Sequence, residues 1–117
     1  MFNFLIFMLL FFAAKAFWNI SGYSAVSKYK NNPTAALLEV GKTWLSQRAS
    51  QRGVRIEPLW PCIAIQLGRK EIVDQYVVLV EHSGRTTPDS LLFAFEYLIT
   101  RGNLHKELND ELRPIIF

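Results

Sequence analysis

Few side chains in this sequence combine reactivity with a usable spacing. Cys62 is the single cysteine, and a thiol, once ionised, is a strong nucleophile. It stands between Pro61 and Ile63 in apolar company, which predicts a buried structural thiol that does no chemistry. His82 follows Glu81 near the end of a helical pattern, and His105 sits beside Lys106 and Glu107. Two histidines with no cysteine nearby, and with neither H-E-x-x-H nor paired-cysteine spacing, offer a metal no ligand set. His82 reads instead as a cation-capable residue near the negative end of a helix dipole. The sequence has no glycine-flanked nucleophile, phosphate-cradling loop or dinucleotide fingerprint. No catalytic, cofactor-binding or metal residue is therefore expected, and no small-molecule substrate. A tethered enzyme or regulator using Glu81, His82 or Cys62 is the weaker alternative.

The cations are more informative. Arg48 and Arg52 lie one helical turn apart, with Gln47 and Gln51 beside them, Lys42 before and Arg55 after. Such a stripe is either a solvated helix face or a phosphate-facing one, for nucleic acid or lipid headgroups. Residues 1–56 carry seven cations against Glu39 alone, whereas residues 57–117 carry nine acids against six cations. The acidic rear half and the lack of an aromatic-basic recognition motif speak against nucleic acid. Lipid is the preferred ligand, and the expected headgroup-facing set is Lys28, Lys30, Arg48, Arg52 and Arg55.

That preference depends on the first twenty residues. The chain has 117 residues, 50% of them hydrophobic, enough for one small domain. A single cysteine excludes a disulfide scaffold, and the apolar content excludes disorder. Phe4 to Ala14 is an unbroken apolar run. As a helix, residues 2–20 reach roughly 28 Å, close to a hydrocarbon thickness of about 30 Å. A single transmembrane anchor is expected, built on Phe4, Leu5, Ile6, Phe7, Leu9, Leu10, Phe11, Phe12 and Trp18. Phe17, Trp18 and Tyr23 would supply the interfacial aromatic belt, and Lys15 would snorkel to the headgroups. A secretory signal cleaved after Ala16, releasing a small helical binding protein, is the second reading, although no basic residue precedes the run. A buried core helix is the third. Lys15, Lys28 and Lys30 follow the span, so the positive-inside rule places the C-terminal domain on the cytoplasmic side, or in the matrix or stroma of an organelle.

The remainder reads as helices punctuated by turns. Residues 21–30 keep a loose helical pattern that continues the anchor to the break at Asn31-Asn32-Pro33. Asn32 suits an N-cap and Pro33 the first helical position of a helix running through Leu37, Trp44 and Ala49 to Gly53. Over 54–67 two prolines interrupt the chain. A short helix opened by Pro61 is preferred to a strand alternating through Ile63, Ile65 and Leu67, because an isolated strand is unstable. Ile72, Val73, Tyr76, Val77 and Val80 trace the face of a further helix ended by Ser83-Gly84. Thr87-Pro88-Asp89 opens the next, which runs to Arg101-Gly102. Asn103 is expected to cap a last helix over 104–112 that Pro114 stops.

Gly68-Arg69-Lys70-Glu71-Ile72-Val73 resembles the G-x-x-E-I-V stretch inside an ankyrin repeat, and Thr87-Pro88 resembles the T-P that starts one. The resemblance covers only these residues. Gly84 falls about one helical turn later than such a unit places it, and no period of about 33 residues is present. It supports a helical hairpin and not membership of the family.

The expected fold is therefore all-α: an N-terminal transmembrane helix and its extension over 1–30, then four to five short helices in hairpins over 31–117. The helix starting at Pro88 is apolar on more than one face, with Phe93 and Ala94 off the stripe of Leu91, Leu92, Phe95 and Leu98. A helix apolar around much of its girth is central to its domain or meets another chain. Phe93, Phe95, Tyr97, Ile115, Ile116 and Phe117 are the expected partner-docking residues. The expected role is a structural, interaction or assembly subunit of a membrane complex.

Overall fold

Asn32 and Pro33 set the start of the longest helix among the described residues. The computed structural model describes residues 24–102 and 104–116, all of whose regular elements are helical. Residues 24–31 form α1, followed by α2 (Pro33–Gln51), α3 (Trp60–Leu67), α4 (Lys70–His82), α5 (Pro88–Arg101) and α6 (Lys106–Ile116). The anchor expected over Phe4 to Trp18 lies outside the described residues. Among the described residues no helix is long and apolar enough to cross a membrane.

Local chemistry accounts for where the helices begin and end. Asn32 Oδ1 accepts the Ala35 N–H at 3.3 Å, and Pro33 needs no partner for its missing donor. At the other end of α2, Gly53 takes a left-handed φ of 70°, which a residue with Cβ adopts only with strain. The Val54 N–H then reaches Ala49 O at 2.8 Å and the Gly53 N–H reaches Ser50 O at 3.1 Å. This pair of bonds is a Schellman cap. Gly84, at φ 69°, follows α4 in the same conformation. Thr87 Oγ1 accepts the Ser90 N–H at 3.3 Å at the start of α5.

Burial follows helical periodicity. In α4 the buried positions are Ile72, Tyr76 and Val80, four residues apart, so the β-branched run over 77–80 does not divert the helix. In α5 they are Leu91, Ala94, Phe95, Leu98 and Ile99. α2 supplies Leu37, Val40, Trp44 and Leu45 from one face and touches each of α3, α4, α5 and α6, while α4 and α5 pack as a hairpin. α1 also joins this core: Ala25 is buried, and Val26 and Tyr29 pack against the cluster. The Tyr29 and Tyr76 rings meet edge to face at 6.2 Å.

Two expectations are corrected. Pro114 does not stop the last helix, which continues through it to Ile116. Proline removes one backbone bond and crowds the preceding turn, but here only the final turn follows it, and Ile115 is buried in that turn. Cys62 is exposed, because the short α3 buries Ile63 and Leu67, four residues apart, and turns Cys62 outward with Ile65. The expected capping residue Asn103 lies outside the described residues.

Candidate docking surface

The outer face of α5 follows from its buried face. With Leu91, Phe95 and Leu98 turned inward, Phe93, Tyr97 and Arg101 share the opposite side, four residues apart, and run about 12 Å along the helix. Phe93 is 68% exposed and Tyr97 42%. The Arg101 guanidinium lies over the Tyr97 ring at 5.9 Å, within cation–π range.

On one side of this ridge, α2 and α5 form the walls of an open groove of about 400 Å³, with Ile116 of α6 against them. Trp44 and Arg48 come from α2. The Arg48 guanidinium sits 5.3 Å from the centre of the Trp44 ring, and that ring packs edge to face on Phe95 at 5.6 Å. The Trp44 Nε1–H donates to Glu96 Oε1 at 2.9 Å, which holds the indole in place between the two helices. At the groove's edge Arg52 Nη2 approaches the Ile116 carbonyl at 3.5 Å. On the other side of the ridge, a second open groove of about 390 Å³ includes Val78, Leu79 and Tyr97, with Val78 60% exposed.

Of the residues expected to meet a partner, Phe93, Tyr97 and Ile116 are brought together here. Phe95 and Ile115 are not. Both are buried in the core, and this corrects their assignment: Phe95 belongs to the stripe of Leu91 and Leu98, which faces α2, and Ile115 to the stripe of Leu108 and Leu112. Phe117 lies outside the described residues, as do the anchor residues. Trp44, Glu96, Arg101 and Val78 complete the surface and were absent from the sequence-based set. Val78 falls off the Ile72, Tyr76, Val80 stripe, which is a signal that α4 exposes it.

The expected headgroup-facing cations do not form one patch. Lys28 Nζ pairs with Glu39 Oε2 at 2.7 Å. From Glu39 to Arg52 the axis of α2 rises about 20 Å, so Lys28 and Lys30 lie towards one end of α2 and the exposed Arg48, Arg52 and Arg55 towards the other.

Among the described residues no three of His, Cys, Asp and Glu come together in a way that holds a metal. His82 is exposed in the last turn of α4 and His105 precedes α6. The perturbed titrations belong to the core. Burial raises the Tyr76 hydroxyl above its usual range, with a smaller push from Tyr29, and burial raises Tyr29 with a smaller push from Glu81. Burial is the larger cause for both tyrosines, whose rings meet edge to face in the core. No family model, curated protein or solved structure matches this chain.

Proposed function

We propose that this protein is a membrane-tethered interaction or assembly subunit, whose helical domain docks on a partner protein of a larger complex through the outer face of α5. The observation that carries the docking half is the pairing of a largely exposed Phe93 with Tyr97 beside the Trp44–Arg48 groove. An aromatic ridge next to a concave apolar wall is the form that interface hot spots take. Leaving Phe93 in water forgoes about 2 kcal/mol of burial that a partner recovers. The tether rests on the apolar run over Phe4 to Ala14 and on the cations that follow it, with the domain on the cytoplasmic, matrix or stromal side.

Two measurements test it. A photo-reactive phenylalanine analogue at position 93, activated in native membranes, is expected to form a covalent adduct with one partner, while the same analogue at the exposed Val54 forms none. Carbonate extraction is expected to leave the full chain in the membrane pellet. A chain that extracts freely, or that purifies as a stable, monodisperse monomer with no adduct at position 93, sinks the reading.

A further inference from the structure

We propose that the groove between α2 and α5 receives an acidic amphipathic helix, an apolar stripe flanked by carboxylates, supplied by the partner protein. The inference rests on the docking reading above and adds the chemistry of the occupant.

Three features of the groove specify it. First, each wall carries a guanidinium: Arg48 on α2 and Arg101 on α5, with Arg52 at the edge beside Ile116. Neither Arg48 nor Arg101 has a carboxylate within ion-pair distance among the described residues. Among the described residues that line the groove, Glu96 is the one acidic side chain against Arg48 and Arg101, and Glu96 is already accepting the Trp44 N–H.

Second, the two wall guanidinium groups lie over the Trp44 and Tyr97 rings. A cation held on an aromatic face loses little further freedom when it pairs, and the planar fork matches a carboxylate with two parallel bonds. Third, the surface between the cations is apolar and long enough for a helix. Phe93 and Tyr97 stand one turn apart, about 6 Å along α5, with Ile116 also lining the groove, and the run from Phe93 to Arg101 extends about 12 Å, or two turns of a helix laid in the groove.

An anionic lipid leaflet is the competing ligand for such cations, and two observations favour the peptide. The guanidinium groups line a concave wall, whereas a leaflet meets convex or flat surfaces. Glu96 lies among them, and a dense phosphate plane has no means of avoiding it. A helix passes the same carboxylate with an apolar or hydrogen-bonding side chain chosen for that position.

The test uses the full chain in micelles of an uncharged detergent, panned against a phage-displayed library of random peptides about 16 residues long, or ~24 Å as a helix. Enriched sequences are expected to carry Asp or Glu beside apolar residues spaced three and four apart. Charge reversal at Arg48 and Arg101 (Arg48→Glu with Arg101→Glu) is expected to weaken their binding at least about tenfold. Replacing the peptides' acids with lysine is expected to restore binding to that variant. A milder pair, Arg48→Gln with Arg101→Gln, reports the same loss should reversal disturb the fold. Enrichment of apolar sequences without carboxylates, or binding indifferent to both pairs of substitutions, overturns the acidic partner while leaving docking at Phe93 intact. Failure to enrich any peptide, with the reversed variant instead losing retention on phosphatidylserine vesicles relative to phosphatidylcholine ones, assigns the cations to lipid and overturns the inference. Absence of an adduct at position 93 removes the docking reading itself.

Discussion

The Trp44 indole N–H and the Glu96 carboxylate, 52 residues apart in sequence, are joined at 2.9 Å across the crossing of α2 and α5. The bond fixes the face of Trp44 on which Arg48 rests, and so sets the shape of the groove as well as the packing of two helices. The bond is only part-buried, and its net worth is about 1 kcal/mol. Trp44→Phe and Glu96→Ala each remove it, and a double-mutant cycle isolates it from the accompanying loss of packing. A coupling of about 1 kcal/mol in urea unfolding is expected; a coupling of zero means the indole and carboxylate do not meet in solution.

Gly41 shows a constraint of a different kind. A Cβ at this buried position in α2 would stand 2.9 Å from Phe95 Cε2, 3.1 Å from Phe95 Cζ and 3.3 Å from Leu67 Cδ1. Phe95 is fully buried and has no room to withdraw. Alanine gains about 1 kcal/mol of helix propensity, but overpacking a filled site costs about 1–3 kcal/mol. Gly41→Ala is therefore expected to lower the melting temperature by several degrees. A rise in melting temperature would show that α5 sits farther from α2.

Residues whose role is local were legible in the sequence, and those whose role is set across the core were less so. Asn32, Thr87, Gly53 and Gly84 act within a turn of their own position, and each does what its type dictates. The helical hairpin of α4 and α5 follows from the same signals. Cys62 was misplaced because its neighbours in sequence are apolar, while its burial depends on which side of the eight-residue α3 meets the core, a matter decided by Ile63 and Leu67. Phe95 was assigned to the surface because α5 carries more aromatic groups than one stripe needs. The stripe of Leu91, Leu92, Phe95 and Leu98 separates Phe95 from Phe93 in the sequence, and packing against Trp44 and beside Gly41 makes that stripe the inward face. Half of the groove was hidden for the same reason, since Trp44 and Arg48 are separated from Tyr97 and Arg101 by some fifty residues of chain.

Tyr76 gives the domain an alkaline limit. Its side chain is fully buried, and its hydroxyl has no hydrogen-bond partner among the described residues. An unmet buried hydroxyl costs about 1–3 kcal/mol, so Tyr76→Phe is expected to leave stability at neutral pH unchanged or raised. The pH dependence has a definite sign. Burial, and to a lesser degree Tyr29, raise the hydroxyl's pKa in the folded chain, while in the unfolded chain it stays near 10. The unfolded state then releases its proton first as pH rises, so stability is whole below about pH 10 and falls above it. Lysines titrate in the same range, and the informative quantity is the difference between wild type and Tyr76→Phe. Wild type is expected to lose stability more steeply above pH 10, and parallel curves would place the hydroxyl in water.

Phe93 and Phe95 are two residues apart on α5 and provide an internal control for the docking surface. Phe95 is enclosed by the core, packed on Trp44 at 5.6 Å, so Phe95→Ala removes buried area and leaves a cavity, at about 3–5 kcal/mol. Phe93 loses little by truncation, because most of its ring already faces water, and Phe93→Ala is expected to shift stability by no more than about 0.5 kcal/mol. The two positions should exchange rank when partner association is measured on chains that remain folded, with the milder Phe95→Leu in place of Phe95→Ala. Phe93→Ala weakens association with an unchanged circular dichroism spectrum and melting curve, while Phe95→Leu, which keeps the core apolar, spares association despite a lower melting temperature. Loss of association that instead follows melting temperature through both variants would mean that the partner reads the folded domain as a whole and not the outer face of α5.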